Sequence, residues 1–277
     1  MSNQVWYVTS QGGYVTCESA TAKLPAQAYA SEYYSREDKV QLCVRELQTE
    51  NKYLFPNSVS HDIVRAITTF WDNAIIYSKM GLRHQRGILL HGEPGMGKTA
   101  IAQIVGQQII EQDGLFLICE DFDDFIDGIE VIRQTEPNRP MVGFIEDVDS
   151  YISSNEEDIV ALLDGAKATK DGIVYLMTTN NLDAIPDRIK HRPSRVDALF
   201  EVVAPGYDVR LLYVSHLLAN ISGMIPNCVQ LATEIAKHTE NYSLAVLKEV
   251  VLGIIVYDLP LEVAVARCQH LVGNKDG

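Results

Sequence analysis

Short runs of apolar residues recur along the middle of the chain, at Gly87–His91, Leu115–Cys119, Met141–Ile145 and Gly172–Thr178, with segments of helical length between them. Runs that are apolar throughout, rather than at every second position, suit strands buried on both faces. Their alternation with helices, the first from Lys98 to about Gln112 and closed by an Asp113-Gly114 turn, predicts an α/β fold: a parallel sheet with helices on both faces. After Pro205 the period is wholly helical, with segments near Asp208–Asn220, Val229–His238, Leu244–Tyr257 and Leu261–Leu271. Ahead of the sheet, Val5–Thr9 and Tyr14–Cys17 flank Ser10-Gln11-Gly12-Gly13 and predict two short strands around a turn. Pro56–Ser58 reads as a loop, and Ser60 or Asp62 is placed to cap a helix through Ile63, Ile67, Phe70, Trp71 and Ile75.

The expected organisation is a small β-containing N-terminal module over residues 1–55, an α/β domain over 56–204 and a small α-helical domain over 205–277. The aromatics of the first module (Trp6, Tyr7, Tyr14, Tyr29, Tyr33, Tyr34, Tyr53, Phe55) suit either its own core or a partner-binding face.

Composition narrows the classes. With 277 residues, 47% hydrophobic and 22% charged, the chain is an ordered globular one with room for one large core and a satellite. The longest apolar run, Val250–Tyr257, is interrupted by Gly253 and is too short to span a bilayer, and no secretory signal is visible. A formal net charge of −14 with no basic run opposes broad nucleic-acid binding. Cys17, Cys43, Cys119, Cys228 and Cys268 are far apart with no C-x-x-C pair, so neither a disulfide framework nor a zinc site is indicated, and a reducing cytoplasm is the expected compartment.

The chemistry concentrates at Gly92-Glu93-Pro94-Gly95-Met96-Gly97-Lys98-Thr99, a G-x-x-x-x-G-K-[ST] segment between a predicted strand and helix. Its glycines let backbone N–H groups curl around phosphate oxygens, and the following helix aims its positive end at the same charge. The nucleotide-binding set is Glu93, Pro94, Gly95, Met96, Gly97, Lys98, Thr99 and Ala100, with Lys98 reaching the β- and γ-phosphates and the Thr99 hydroxyl on Mg²⁺. Such a loop needs an acid at the end of a neighbouring buried strand. Val142–Ile145 ends in Glu146-Asp147, one carboxylate for the metal and one for the attacking water.

This loop, the acid-ended strand, Leu162-Leu163-Asp164-Gly165, Met177-Thr178-Thr179-Asn180 and Arg192-Pro193-Ser194-Arg195-Val196-Asp197 occur in the order of AAA ATPases, which the chain resembles over roughly residues 58–260. The resemblance implies ATP and Mg²⁺ as cofactors. It gives Glu146 and Thr99 the metal role, Asp147 the water-activating role with Asp149 behind it, and Asn180 the polar sensor role. Arg192 and Arg195 become fingers that act on a neighbouring subunit's ATP, surface salt bridging being the plain alternative, and the implied assembly is a homo-oligomeric ring of six or seven subunits. The family's acidic pair ordinarily reads Asp then Glu; the order here is similar to the branch of the mitochondrial Rieske-protein translocase, without a transmembrane anchor. The register also puts Ala245 where other clades carry a sensor arginine, leaves Lys248 on the surface, and sets the adenine against His61–Ile63 unless those residues are plain core.

Between Ile118 and Val142 lie 23 residues, too few for the usual unfoldase pore loop, so that loop is expected to be reduced or absent. Phe122, Phe125 and Ile126 are its bulky candidates, with core packing as the alternative. Glu120–Glu130 carries six acids and no base; it reads either as a channel lining that repels nucleic acid or as the solvated acidic start of a helix. The expected activity is ATP hydrolysis coupled to remodelling or translocation of a macromolecule, a protein substrate or adaptor rather than nucleic acid. A nucleic-acid motor or loader and a slow nucleotide-dependent assembly switch are the alternatives.

Overall fold

The computed structural model of the protein describes residues 5–8, 14–17, 21, 23–34, 39–48, 58–165, 172–192, 195–219, 221, 223, 225 and 227–271. Strands β1 (Val5–Val8) and β2 (Tyr14–Cys17) form a separate antiparallel pair, as their spacing around the Gly-Gly turn predicts. Then follow β3 (Ala28–Tyr34), β4 (Lys39–Arg45), α1 (Val59–Asp72), α2 (Ala74–Lys79), β5 (Gln85–His91), α3 (Lys98–Glu111), β6 (Leu115–Ile118), α4 (Phe122–Thr135), β7 (Met141–Ile145), α5 (Val148–Leu163), β8 (Ile173–Thr179), α6 (Asp187–Lys190) and β9 (Ala198–Glu201). The last four helices are α7 (Tyr207–Ala219), α8 (Cys228–His238), α9 (Leu244–Ile255) and α10 (Leu261–Cys268).

The main sheet has seven strands in the order β4-β3-β6-β7-β8-β5-β9, parallel except for the β3–β4 pairing. One face packs on α4, α5 and α6 through Phe125, Ile129, Ile159, Leu162 and Ile189; the other packs on α1 and α3 through Ile63, Ile67, Val105 and Ile109. Strand residues such as Leu89, Leu90, Leu115 and Leu176 are almost wholly removed from water, each contributing about 1.5–3 kcal/mol. Helices α7 to α10 bury a third cluster around Val214, Ile235, Leu247 and Val250, so the wholly helical pattern after Pro205 does form a layer with its own core.

The division expected at residue 55 does not follow the sheet. Strands β3 and β4 lie ahead of it, yet β3 pairs in parallel with β6 (Ala28 opposite Phe116, Ala30 opposite Ile118), making this hairpin the edge of the main sheet. Tyr29 is buried in that core and Tyr33 is half exposed; Trp6, Tyr7, Tyr14, Tyr34, Tyr53 and Phe55 lie outside the residues whose side chains are described. The predicted helix after Pro56 also differs in detail. Its cap is Ser58, whose Oγ accepts from the His61 N–H, and it ends at Asp72, leaving Ile75 on the separate α2 with 69% of its surface exposed. The α1 end is tied down by Trp71, which donates to the Gly172 carbonyl, and by His84, stacked on Phe70 at 4.0 Å.

Candidate functional site

Four of the parallel strands, β5, β6, β7 and β8, end at one edge of the sheet, where ligands bind in open α/β folds. From β5 the chain turns through the glycine-rich loop into α3, whose N-cap Gly97 has φ +96°, a left-handed conformation that a side chain would strain. Lys98 opens the helix and is 6% exposed; its Nζ donates to the Gly92 carbonyl at 2.6 Å and the Glu93 carbonyl at 2.9 Å. The loop thereby curls around its own ammonium, leaving the first N–H groups of a 14-residue helix directed at the same point. Burial pushes the Lys98 pKa down, with the Asp147 and Asp149 charges opposing.

β7 delivers the acids. The Thr99 hydroxyl donates to Glu146 Oε1, bringing the two expected metal ligands together across 47 positions of sequence. Hydroxyl and carboxylate oxygens are hard donors of the kind Mg²⁺ takes alongside water and phosphate, so this pair fits a phosphate-bound Mg²⁺. Asp147 adopts φ +46°, ψ +55°, an uncommon conformation for an aspartate, and its N–H donates to Thr178 Oγ1 at 2.9 Å. The Asn180 amide donates to Asp147 Oδ1 at 2.9 Å. Burial first, and then the Glu146 and Asp149 charges, push the Asp147 pKa up from the ordinary carboxylate range against the pull of Lys98. A carboxyl raised in this way is a stronger base once ionised.

A cavity of about 430 Å³ brings these groups together: Pro94, Gly95, Gly97, Lys98, Thr99 and Ala100 from the loop and helix, with Glu146, Asp147 and Asn180 opposite. Two predicted loop residues stand back from it, Glu93 acting through its carbonyl and Met96 packing into the α1–α3 core. Asp149 accepts from Thr179 Oγ1 at 2.7 Å, which holds it as a support rather than a lining group. Gln48 and Gln103 also line the cavity and were not anticipated. Gln103 stands one helical turn after Thr99, a spacing legible in sequence; Gln48 arrives on the segment after β4, beside Leu47 packed in the α1–α3 core, and no local signal marks it.

The two arginines part company. Arg192 is exposed, but Arg195 is 3% exposed and does not offer itself as a finger. Its Nε and Nη2 donate to both Asp164 carboxylate oxygens at 2.7 Å and its Nη1 donates to the Arg188 carbonyl at 2.6 Å. That bidentate pair holds the Asp164 carboxyl below its usual range. The chain is pressed so closely here that a Cβ on Gly87 would lie 1.7 Å from the Arg195 carbonyl oxygen. Neither surface salt bridging nor a free finger describes Arg195: it clamps the end of α5 to the segment before β9.

The remaining expectations divide similarly. Phe122, Phe125 and Ile126 are buried in the α4 core, as is Ile63 in the α1–α3 core. The Asp121 side chain caps α4 by accepting from the Asp123 and Asp124 N–H groups, Glu120 pairs with Arg45 at 2.7 Å, and Asp124 accepts from the Tyr33 N–H. These acids start a helix and join it to the hairpin. Ala245 and Lys248 are both exposed on α9.

Residues 88–203 match the family described as ATPase family associated with various cellular activities (AAA). That segment is similar to an AAA-family ATPase domain. The chain is 26% identical over 217 residues to the ATP-dependent zinc metalloprotease FtsH of Mycoplasma pneumoniae, covering 69% of this chain and 29% of that protein. It is 29% identical over 168 residues to the proteasome-activating nucleotidase of Methanosphaerula palustris, covering 54% and 40%, and 32% identical over 152 residues to the ATPase family gene 2 protein of Schizosaccharomyces pombe, covering 48% and 18%. The chain thus spans less than half the length of each of these relatives. Among the described residues no cluster of three or more His, Cys, Asp or Glu could hold a metal ion, and no helix is long and apolar enough to cross a membrane.

Proposed function

We propose that this AAA domain hydrolyses ATP with Mg²⁺ in a ring of like subunits and couples hydrolysis to remodelling a protein partner. The observation that carries the reading is the single cavity in which Lys98, Thr99, Glu146, Asp147 and Asn180 converge, with Asn180 holding the Asp147 carboxylate. Lys98 and the N-terminus of α3 bind the triphosphate; Thr99 and Glu146 would hold Mg²⁺, which when bound would supply charge neutralisation for the phosphates. Asp147, kept basic by its surroundings and aimed by Asn180, accepts the proton of the attacking water. Arg192 is the cation given to the neighbouring subunit, and Arg195 supports the segment that carries it.

A protein partner is favoured over nucleic acid by the net charge of −14 and by the names of relatives that act with proteolytic machines. The order Glu146-Asp147 and the short segment between β6 and β7 support a place nearest the Rieske-protein translocase branch, and free cysteines such as Cys119 and Cys268 suit a reducing cytoplasm. The test is steady-state phosphate release from Mg·ATP at rising protein concentration, with Lys98→Ala as control and mass photometry on the same samples. A rate per subunit that climbs with assembly and vanishes in Lys98→Ala is expected. Hydrolysis indifferent to concentration would mean a self-sufficient monomeric site, and assembly without turnover would mean a nucleotide-dependent switch.

A further inference from the structure

Within one chain the phosphate cavity is short of positive charge. The side chains lining it include one cation, Lys98, against two carboxylates, Glu146 and Asp147. At the opposite end of the sheet, where β5 begins, a second cavity of about 780 Å³ has the reverse balance: Arg83, Arg86 and Arg192 line it. Its acids are Asp164 and Asp197, and both are engaged elsewhere. The Asp164 carboxylate takes the bidentate bonds of Arg195, and Asp197 Oδ2 accepts from the Gly87 N–H at 3.0 Å. Arg86 Nε is buried with no hydrogen-bond partner among the described residues. Arg83 is exposed and spends one donor on the Asp164 carbonyl. In a chain of net charge −14, three guanidiniums around one opening with their nearest carboxylates committed make a local positive well.

We infer that this arginine cavity receives the triphosphate of a neighbouring copy's ATP, with Arg83 acting beside Arg192 as a second trans cation and Arg86 backing both. Burial of Arg195 leaves room for that role, since the second arginine of the Arg192–Arg195 segment is spent on Asp164. Geometry agrees with the charge. The phosphate cavity lies at the C-terminal ends of the strands and the arginine cavity at the N-terminal end of β5, so joining them places copies head to tail, the kind of contact that closes into rings. Next to it in the chain, Ile75, Ile76, Met80 and Leu82 on α2 and the turn that follows it are each more than half exposed, and Leu82 lines the cavity. Guanidinium forks match phosphate oxygens two at a time, which a lysine does not.

The inference rests on the ring ATPase reading above, and mixing variants separates the two. Arg83→Ala alone should lose at least about tenfold in kcat while still binding ATP at its own Lys98 site. Mixed with Lys98→Ala chains, which lack a working phosphate site but keep Arg83, hydrolysis should rise severalfold above the sum of the two separate preparations. Arg83→Lys should fall between Arg83→Ala and the unmodified chain, and thermal unfolding of each unassembled variant checks that folding is retained. Hydrolysis by Arg83→Ala at the unmodified rate, or a loss that mixing does not restore in a chain that unfolds normally, would overturn the inference and leave the ring intact as an idea. A rate in the unmodified chain that ignores concentration would instead remove the ring reading beneath it.

Discussion

The two ends of the β5 strand contrast in what they do with charge. At the C-terminal end, loop, helix and acids are bound to one another within a single chain: Lys98 to the loop carbonyls, Thr99 to Glu146, Asn180 to Asp147. At the N-terminal end, Arg195 is locked on the Asp164 carboxylate while Arg83 and Arg192 are exposed. The first end is organised for its own substrate and the second for something another molecule brings. The difference teaches that motif membership and availability are separate matters: Arg192 and Arg195 belong to one segment, yet only Arg192 is accessible.

The sharpest break of that contrast is Arg192→Ala. A cation supplied in trans stabilises charge that develops on the transferred phosphoryl group, so the variant should lose about 10³-fold in kcat with ATP binding and assembly retained. A rate unchanged in assembled rings would make the outward-facing end irrelevant to chemistry. Asp147→Asn attacks the other end. It keeps the shape and removes the base, and about a 10²-fold loss in kcat with little change in nucleotide affinity is expected from single-turnover measurements. Weakened ATP binding with kcat preserved would assign Asp147 to the metal instead.

Arg195→Ala should look unlike either. Removing it strips the buried partner from Asp164 and opens the Arg188 carbonyl, so the expected effect is about 3 kcal/mol of stability, read as a lowered melting temperature in the unassembled chain. Arg192→Ala, exposed, should leave that temperature within error. Equal melting temperatures for both variants would contradict the clamp and return Arg195 to the finger role.

Much of the site was legible because local sequence dictates it. The glycine-rich loop must sit between a strand and a helix for its glycines and Lys98 to work, and the apolar run ending at Ile145 fixes where Glu146 and Asp147 emerge. Burial of Arg195 was not legible, since it depends on Asp164 thirty-one positions earlier being carried to the same place by the α5 C-terminus. The hairpin of β3 and β4 was missed for a related reason. Ala28, Ala30 and Ser31 are buried but small or polar, and so contribute little apolar signal, while Val44 on the outer strand is 57% exposed. What makes them strands is pairing with β6 across more than eighty residues, a contact that periodicity does not encode. Gln48 followed the hairpin to the phosphate cavity and was missed with it.

The smallest effect concerns the acid side of the pH profile. Hydrolysis through Asp147 requires its carboxylate form, and burial with the Glu146 and Asp149 charges raises its pKa. A raised pKa moves the acid limb of kcat/KM upward, because the base is lost to protonation at a higher pH than an ordinary aspartate would be. Asp149→Asn deletes one of the two like charges while an amide oxygen can still accept from Thr179, so the Asp147 pKa should fall and the acid limb shift to lower pH, with the plateau rate nearly kept. The same substitution should leave the Lys98 pKa lower, since Asp149 is one of the two charges holding it up, but that change lies on the basic side of the profile. A plateau rate that collapses in Asp149→Asn would mean that Asp149 acts on the water itself, and the geometry of water activation would have to be rebuilt around the Thr179 contact.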